Sequence, residues 1–298
     1  MTESGVCLDY GIESDLDFAF LRSGRGSRPL SVREWTPDDP ACNAELMVRW
    51  RPRPDRPFHG SVYRIADGRL VVDTSDAGWF RIDPQGGVVE IDAGAERVAR
   101  EVRLWTTPML LLATIAGATP LHAACVEVNG TAVAICGPGG QGKTTLAAAL
   151  AARGHRLMAE DITIADGSPP IARAGPDLLR LRRPSRRHVD LGPGATVVAE
   201  SDERLFIRTG SESSSSVPLG AVVLLKEGPE LRVSTRSDAG RLADLWQVSF
   251  HLPNFADRSR SFQAIADLAD TVPIFDLERP KAWDQLEPSV EAVEGLVR

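Results

Sequence analysis

The residues best suited to chemistry are Gly137-Pro138-Gly139-Gly140-Gln141-Gly142-Lys143-Thr144, which fit the phosphate-cradling pattern G-x-x-x-x-G-K-[ST]. Gly137, Gly139, Gly140 and Gly142 admit backbone conformations closed to other residues. Successive N–H groups, from Gly139 through Gln141 to Thr145, can then point at phosphate oxygens. In such a loop Lys143 reaches the β- and γ-phosphates of ATP, and the Thr144 hydroxyl completes a Mg²⁺ shell. The alternative is a glycine-rich turn that binds nothing.

A second group follows the loop at Glu160-Asp161. Phosphoryl transfer needs a metal held by carboxylates, positive charge on the moving group and something to orient the nucleophile. These acids lie on the next predicted strand, where a Walker-B-like carboxylate reaches Mg²⁺. Neighbouring strand residues face opposite ways, so one acid faces the metal unless the strand twists or ends there. The other is placed to take a proton from an attacking hydroxyl. The plainer alternative is an acid pair that caps a strand end in solvent.

The elements that must position these groups are readable around them. Residues 131–135 (TAVAI) form a short, β-branched apolar run, which predicts a buried strand before the loop. Residues 145–153 are good helix formers and stop at Gly154, so the positive end of a helix dipole faces the phosphates. Asn129-Gly130 between two apolar runs predicts a hairpin feeding the loop. That arrangement is not usual in a parallel-sheet nucleotide hydrolase. A single strand is expected over 155–164, an apolar strand over 219–226, helices over 238–250 and 257–270, and a late edge strand over 272–277 that tolerates Pro273.

Upstream, short runs at 61–65, 70–73, 79–82 and 88–91 alternate with turn-forming segments and predict a β-meander. Residues 96–116 predict a helix, kinked or restarted at Pro108. The division expected is a mainly β N-terminal domain over 1–95, suited to substrate binding, and a nucleotide-binding domain over 96–298. Residues 1–57 show no clear pattern. There Trp35, Trp50 and the stiff Arg51-Pro52-Arg53-Pro54-Asp55-Arg56-Pro57 stretch suggest strands joined by rigid loops. The run Ser211–Ser216 reads as a flexible linker.

Composition bounds the function. The chain has 298 residues, 43% hydrophobic and 25% charged, with a formal charge of −7. A sizeable core is affordable, and no basic face for nucleic acid is signalled. Cys7, Cys42, Cys125 and Cys136 show no metal-ligand spacing, and His59, His188 and His251 form no metal set. The acidic start excludes a signal peptide. The most apolar segment, 108–117, is about half the ~20 residues a membrane span needs. A cytoplasmic protein without membrane or nucleic-acid partners is expected.

The run over 121–161, LHAACVEVNGTAVAICGPGGQGKTTLAAALAARGHRLMAED, resembles the core of the HPr serine kinase/phosphorylase family. That family shows a His before a hairpin, the phosphate loop, a helix closing with RGHRL and a pair of acids. The matching residues are His122, Gly137 to Thr144, Arg153-Gly154-His155-Arg156-Leu157 and Glu160-Asp161. The resemblance implies an α/β (α+β) fold akin to phosphoenolpyruvate carboxykinase, with a P-loop kinase domain, and ATP with Mg²⁺ as cofactors. It implies Glu160 as general base on a serine hydroxyl, Asp161 beside the metal and His122 near the phosphates. On its own residues, His122 reads more readily as a structural histidine beside an apolar strand, and the resemblance brings the functional reading level with it.

Two departures are visible. The first acid is Glu160 where the family has Asp, and no counterpart of the family's Glu-Ile-Arg-Gly-type segment follows residue 180. The resemblance therefore does not carry over phosphorylase activity, the HPr substrate or a hexamer, and a homo-oligomer is left open. Arg180-Leu181-Arg182 resembles a segment of HPr-kinase-like relatives, and this basic cluster reads either as phosphate-facing or as a solvated loop. Relatives lacking the second signature include tailoring enzymes of ribosomal peptides such as lasso peptides. The leading expectation is a kinase acting on a serine hydroxyl of a peptide or small protein. The alternatives are a small-molecule kinase for an amino acid or sugar, and a nucleotide-gated binding protein without phosphotransfer.

Overall fold

The structure, a computed structural model, describes residues 3–41, 43–50, 60–211, 216–236, 240–252 and 255–297. Cys42, the Arg51-to-Pro57 stretch with His59, and residues 212–215 of the serine run lie outside the described residues.

The first 92 residues build one eight-stranded sheet: β1 (Glu3–Cys7), β2 (Tyr10–Ser14), β3 (Arg28–Trp35), β4 (Glu45–Trp50), β5 (Gly60–Arg64), β6 (Leu70–Thr74), β7 (Gly78–Asp83) and β8 (Val88–Asp92). Its spatial order is β1-β2-β3-β8-β7-β6-β5-β4. Strands β5 to β8 are the antiparallel meander that the turn residues predict. The part without a clear pattern turns out to be strands as well, with β2 parallel to β3 and β3 parallel to β8. Those pairings join segments far apart in sequence, so no turn marks them.

Glu96 caps the following helix, α1 (Arg97–Ile115), its carboxylate accepting from the N–H groups of Val98 and Ala99 at 3.0 and 2.7 Å. The helix runs through Pro108 without restarting. Its buried face, including Leu104, Trp105, Met109 and Leu111, packs into the same core as Phe80, Ile82, Val89 and Ile91 of the sheet. Ile164, Leu178 and Leu252 from later in the chain join that core too.

The second sheet has nine strands. Its first strands are β9 (Thr119–Leu121), β10 (Ala123–Val128) and β11 (Thr131–Cys136), with α2 (Lys143–Ala152) following the loop. Asn129 and Gly130 both have positive φ, +52° and +79°, so the predicted hairpin forms on a turn with two left-handed residues. Beyond α2 come β12 (Arg156–Ala159), β13 (Thr163–Asp166) and β14 (Ile171–Arg173). A separate three-stranded sheet is made of β15 (Leu179–Arg182), β16 (Thr196–Glu200) and β17 (Arg204–Arg208). The chain closes with β18 (Val217–Glu227), β19 (Arg232–Thr235), α3 (Gly240–Val248), α4 (Phe255–Thr271), β20 (Ile274–Arg279) and α5 (Leu286–Glu294).

Strand β18 is the axis of this sheet, lying parallel to β11 on one side and to β20 on the other. Alternation divides the faces. Ala124, Val126, Val133 and Ile135 pack with α2 and α5, while Ala123, Cys125, Ala134 and Cys136 pack towards Leu245, Ile265 and Leu268 of α3 and α4. The result is a mixed α/β fold. Strand β20 is not the expected edge: β18 and β19 flank it, and Pro273 lies just before it, so no ladder hydrogen bond is lost. No helix among the described residues is long and apolar enough to cross a membrane.

Candidate active site

Strands β11, β18 and β20 run in parallel, and β12 runs the same way because both it and β11 are antiparallel to β10. Their C-terminal ends share one edge, the usual location of a site in such sheets. The phosphate loop leaves β11 there. Gly137 is needed because a Cβ would lie 2.9 Å from the Leu225 carbonyl oxygen of β18. Gly142 caps α2 in the left-handed region at φ +89°, and a Cβ there would lie 2.8 Å from Nη2 of Arg279. Residues Pro138, Gly139 and Gly140 are exposed at the tip.

Lys143 opens α2 and is buried at 8% exposure. Its Nζ donates to the carbonyls of Gly137 at 2.8 Å and Pro138 at 3.3 Å, and lies 3.1 Å from Nε2 of His122. The Thr144 hydroxyl donates to Oε1 of Glu160 at 2.6 Å. The Thr145 hydroxyl faces away, 3.1 Å from the Ser185 hydroxyl, which leaves its backbone N–H as the group available to an anion. Gln141 contributes a backbone carbonyl to Arg279.

His122 sits between β9 and β10, pinned by its N–H donating to the Val248 carbonyl at 2.6 Å. Its Nδ1 lies 3.5 Å from Oδ1 of Asp161. With the Lys143 ammonium at Nε2, the network assigns the hydrogen to Nδ1, so the ring links Lys143 to Asp161.

The single strand expected over 155–164 is instead broken at the acids. Strand β12 ends at Ala159, paired with β10, and β13 starts at Thr163, paired with β9. Between them the chain changes partner, and the bend at Glu160 and Asp161 releases the two side chains from opposite-face alternation. Both then reach one cation. Arg180 donates from Nε to Oε2 of Glu160 at 2.6 Å, and its Nη2 lies 2.8 Å from Oδ2 of Asp161.

Arg180 is placed by β15, whose flanking Leu179 and Leu181 are buried against α2. The Arg must face the other way, and that face is the acid pair. The signal in the sequence is the Leu-Arg-Leu alternation; what it lacks is the partner.

The two acids differ in access. The Glu160 side chain is 5% exposed, whereas that of Asp161 is 31% exposed. Burial alone would raise the Asp161 carboxyl, but Arg180, then His122 and Lys143, outweigh it and hold the group well below the usual carboxylate range. Arg180 is correspondingly held above its ordinary value by the two carboxylates despite its burial. Burial pushes Cys136 and Cys125 up to about 12, so neither is a thiolate nucleophile.

The donor set suits Mg²⁺: a hydroxyl and carboxylates, all oxygen, with Thr144 and Glu160 already in contact. No group of three or more His, Cys, Asp or Glu that could hold a metal occurs among the described residues, so phosphate oxygens and water must complete any shell. A narrow cavity beside the acids is lined by Trp105 and Thr106 of α1 together with Glu160, Asp161 and Arg180. A larger one of about 450 Å³ lies in the first sheet, lined by Trp35, Asp38, Asp39, Asp67 and Arg81. It shares no residue with the phosphate loop or the acids.

Among solved structures, the chain is similar to that described as the Hpr(Ser) kinase/phosphatase from Coxiella burnetii, at 14% identity over 60% of this chain and 93% of that one, with a TM-score of 0.31. At that score the overlap carries no functional argument. No protein-family model and no curated protein matches the chain.

Proposed function

We propose that the chain is an ATP- and Mg²⁺-dependent kinase that moves the γ-phosphoryl group to a hydroxyl, with the serine of a peptide or small protein as acceptor. One observation carries the reading: an unbroken set of contacts joins the phosphate loop to both acids. It runs from Lys143 through His122 to Asp161, from Asp161 through Arg180 to Glu160, and from Glu160 back to Thr144. A glycine-rich turn without a ligand has no reason to gather two cations, two carboxylates and a histidine at one sheet edge.

In this reading the amides of 139–145 cradle the phosphates, and Lys143 offsets charge on the transferred group. Thr144 and Glu160 would hold a magnesium ion, which would supply positive charge against the phosphates. Asp161, the more open acid, receives the acceptor hydroxyl and takes its proton as transfer proceeds. A weakly basic carboxylate suffices, because the transition state is loose and the proton leaves late. His122 orients Asp161 and Lys143 relative to each other. These roles exchange the two acids relative to the family resemblance, because the Thr144 hydroxyl bonds Glu160 and because Asp161 is the accessible one. The kinship with the HPr-kinase and phosphoenolpyruvate carboxykinase folds is supported by the hairpin, loop, helix and acid order over 121–161. For the acceptor, strand β4 has β5 as its one neighbour among the described residues, an edge to which an extended peptide can add.

The test is transfer of label from γ-labelled ATP with Mg²⁺ to Ser-terminated peptides, small carrier proteins, free amino acids and sugars, with Lys143→Ala as control. Label on a peptide serine that disappears in the variant supports the proposal. Label on an amino acid or sugar alone replaces it with a small-molecule kinase. Tight ATP binding with no label on any acceptor replaces it with a nucleotide-gated binding protein.

A further inference from the structure

We propose that Arg279 is a further phosphate-binding residue of this site, its guanidinium contacting the phosphate chain of the nucleotide beside the loop; the inference rests on the nucleotide reading above. Arg279 is the last residue of β20, at the same sheet edge as the loop and the acids. It is 9% exposed. Its Nη2 donates to the Gln141 carbonyl at 3.3 Å and sits where a Cβ on Gly142 would collide with it. Among the described residues no carboxylate pairs with it.

Arg22, also buried, and the half-buried Arg180 show what is missing. Arg22, at 2% exposure, donates to the carbonyls of Gly175 and Leu157 at 2.8 Å and has Asp177 at 4.0 Å. Arg180 has two carboxylates. Arg279 has one carbonyl at the long end of hydrogen-bonding distance. A buried guanidinium without a counter-ion is costly. Burial alone moves it, downwards, with no acid raising it back.

Its surroundings make the cost larger. Lys143 and the positive end of α2 already lie at this edge, so a third positive group adds repulsion unless an anion is shared among them. The ligand chemistry that resolves this is a polyphosphate lying across the loop. A fork of N–H donors suits phosphate oxygens better than a point charge does. The same contact gives Gly142 a second reason to be glycine, since any side chain would push Arg279 off the loop.

The experiment uses the full chain, with thermal melting without ligand and calorimetric titration of Mg²⁺–ATP and of inorganic pyrophosphate. Arg279→Met, Arg279→Lys and Lys143→Ala are compared with wild type. The expected result is that Arg279→Met melts at or above the wild-type temperature without ligand, yet binds both probes at least ten-fold more weakly, with Lys restoring part of the loss. Arg279→Met binding ATP as wild type does, while Lys143→Ala does not, overturns the Arg279 proposal alone. A lower unliganded melting temperature in Arg279→Met, with Arg279→Lys no better, shows loop support instead and also overturns it. If Lys143→Ala leaves both titrations unchanged, the nucleotide reading falls and this proposal with it.

Discussion

Two acidic groups in this molecule, Glu101 and Asp161, follow opposite rules. Glu101 on α1 is 1% exposed and accepts from the N–H groups of Ala19 and Phe20, each at 2.8 Å, and from Nε1 of Trp105 at 3.0 Å. Every donor is neutral, and burial raises its carboxyl above the ordinary range. It ties the segment after β2 to α1 and presents nothing outward. Asp161 is partly open, faces Arg180, His122 and Lys143, and is held below the ordinary range. Burial among neutral donors marks a scaffold. Partial access among cations marks a site.

Three experiments can break or sharpen that contrast. The largest expected effect is on stability at the acid pair. Arg180→Met leaves the buried Glu160 and the partly open Asp161 without their cation, and urea unfolding should show a loss of about 3–5 kcal/mol. A loss no greater than at Glu101 would remove the distinction between the two centres. Glu101→Ala orphans three donors and should cost about 1–3 kcal/mol, with kcat of the folded variant unchanged. A large fall in kcat at full folding would make Glu101 part of the site.

The smallest effect is in acid. A carboxyl whose folded value lies below its unfolded value of about 3.9 contributes stability that is complete above that pH and is lost as pH falls towards the folded value. Wild type should therefore lose more stability than Asp161→Asn between pH 5 and pH 2, roughly the window where unfolded Asp protonates. Equal losses would mean that Asp161 is not held down by its neighbours.

The legible parts of the molecule are those whose cause is local. The phosphate loop, the Asn129-Gly130 turn, the Glu96-capped helix and the meander over 60–92 each follow from residues within a few positions of one another. What could not be read depends on partners distant in sequence. The parallel pairs β2–β3 and β3–β8 have no turn between them. The bend at Glu160-Asp161 arises because β12 and β13 pair with different strands, which the alternating run over 155–164 does not disclose. Arg180 looks like one basic residue of a cluster until β15 aims it at the acids. Arg279 ends strand β20, and only the sheet order brings it to Gln141, 138 residues away. Sequence spacing thus exposes the glycine-rich loop and the two acids. It does not disclose that Arg180 is the cation the acids share.

In the proposed reaction Asp161 works on the acceptor hydroxyl and is not a passive acid. Single-turnover transfer from Mg²⁺–ATP to a serine peptide labelled by wild type, compared with Asp161→Asn and paired with ATP titration of both, tests it most directly. Unchanged ATP affinity is expected in Asp161→Asn, with a transfer rate lower by about 10²–10⁴. Transfer at the wild-type rate with ATP bound normally would contradict it.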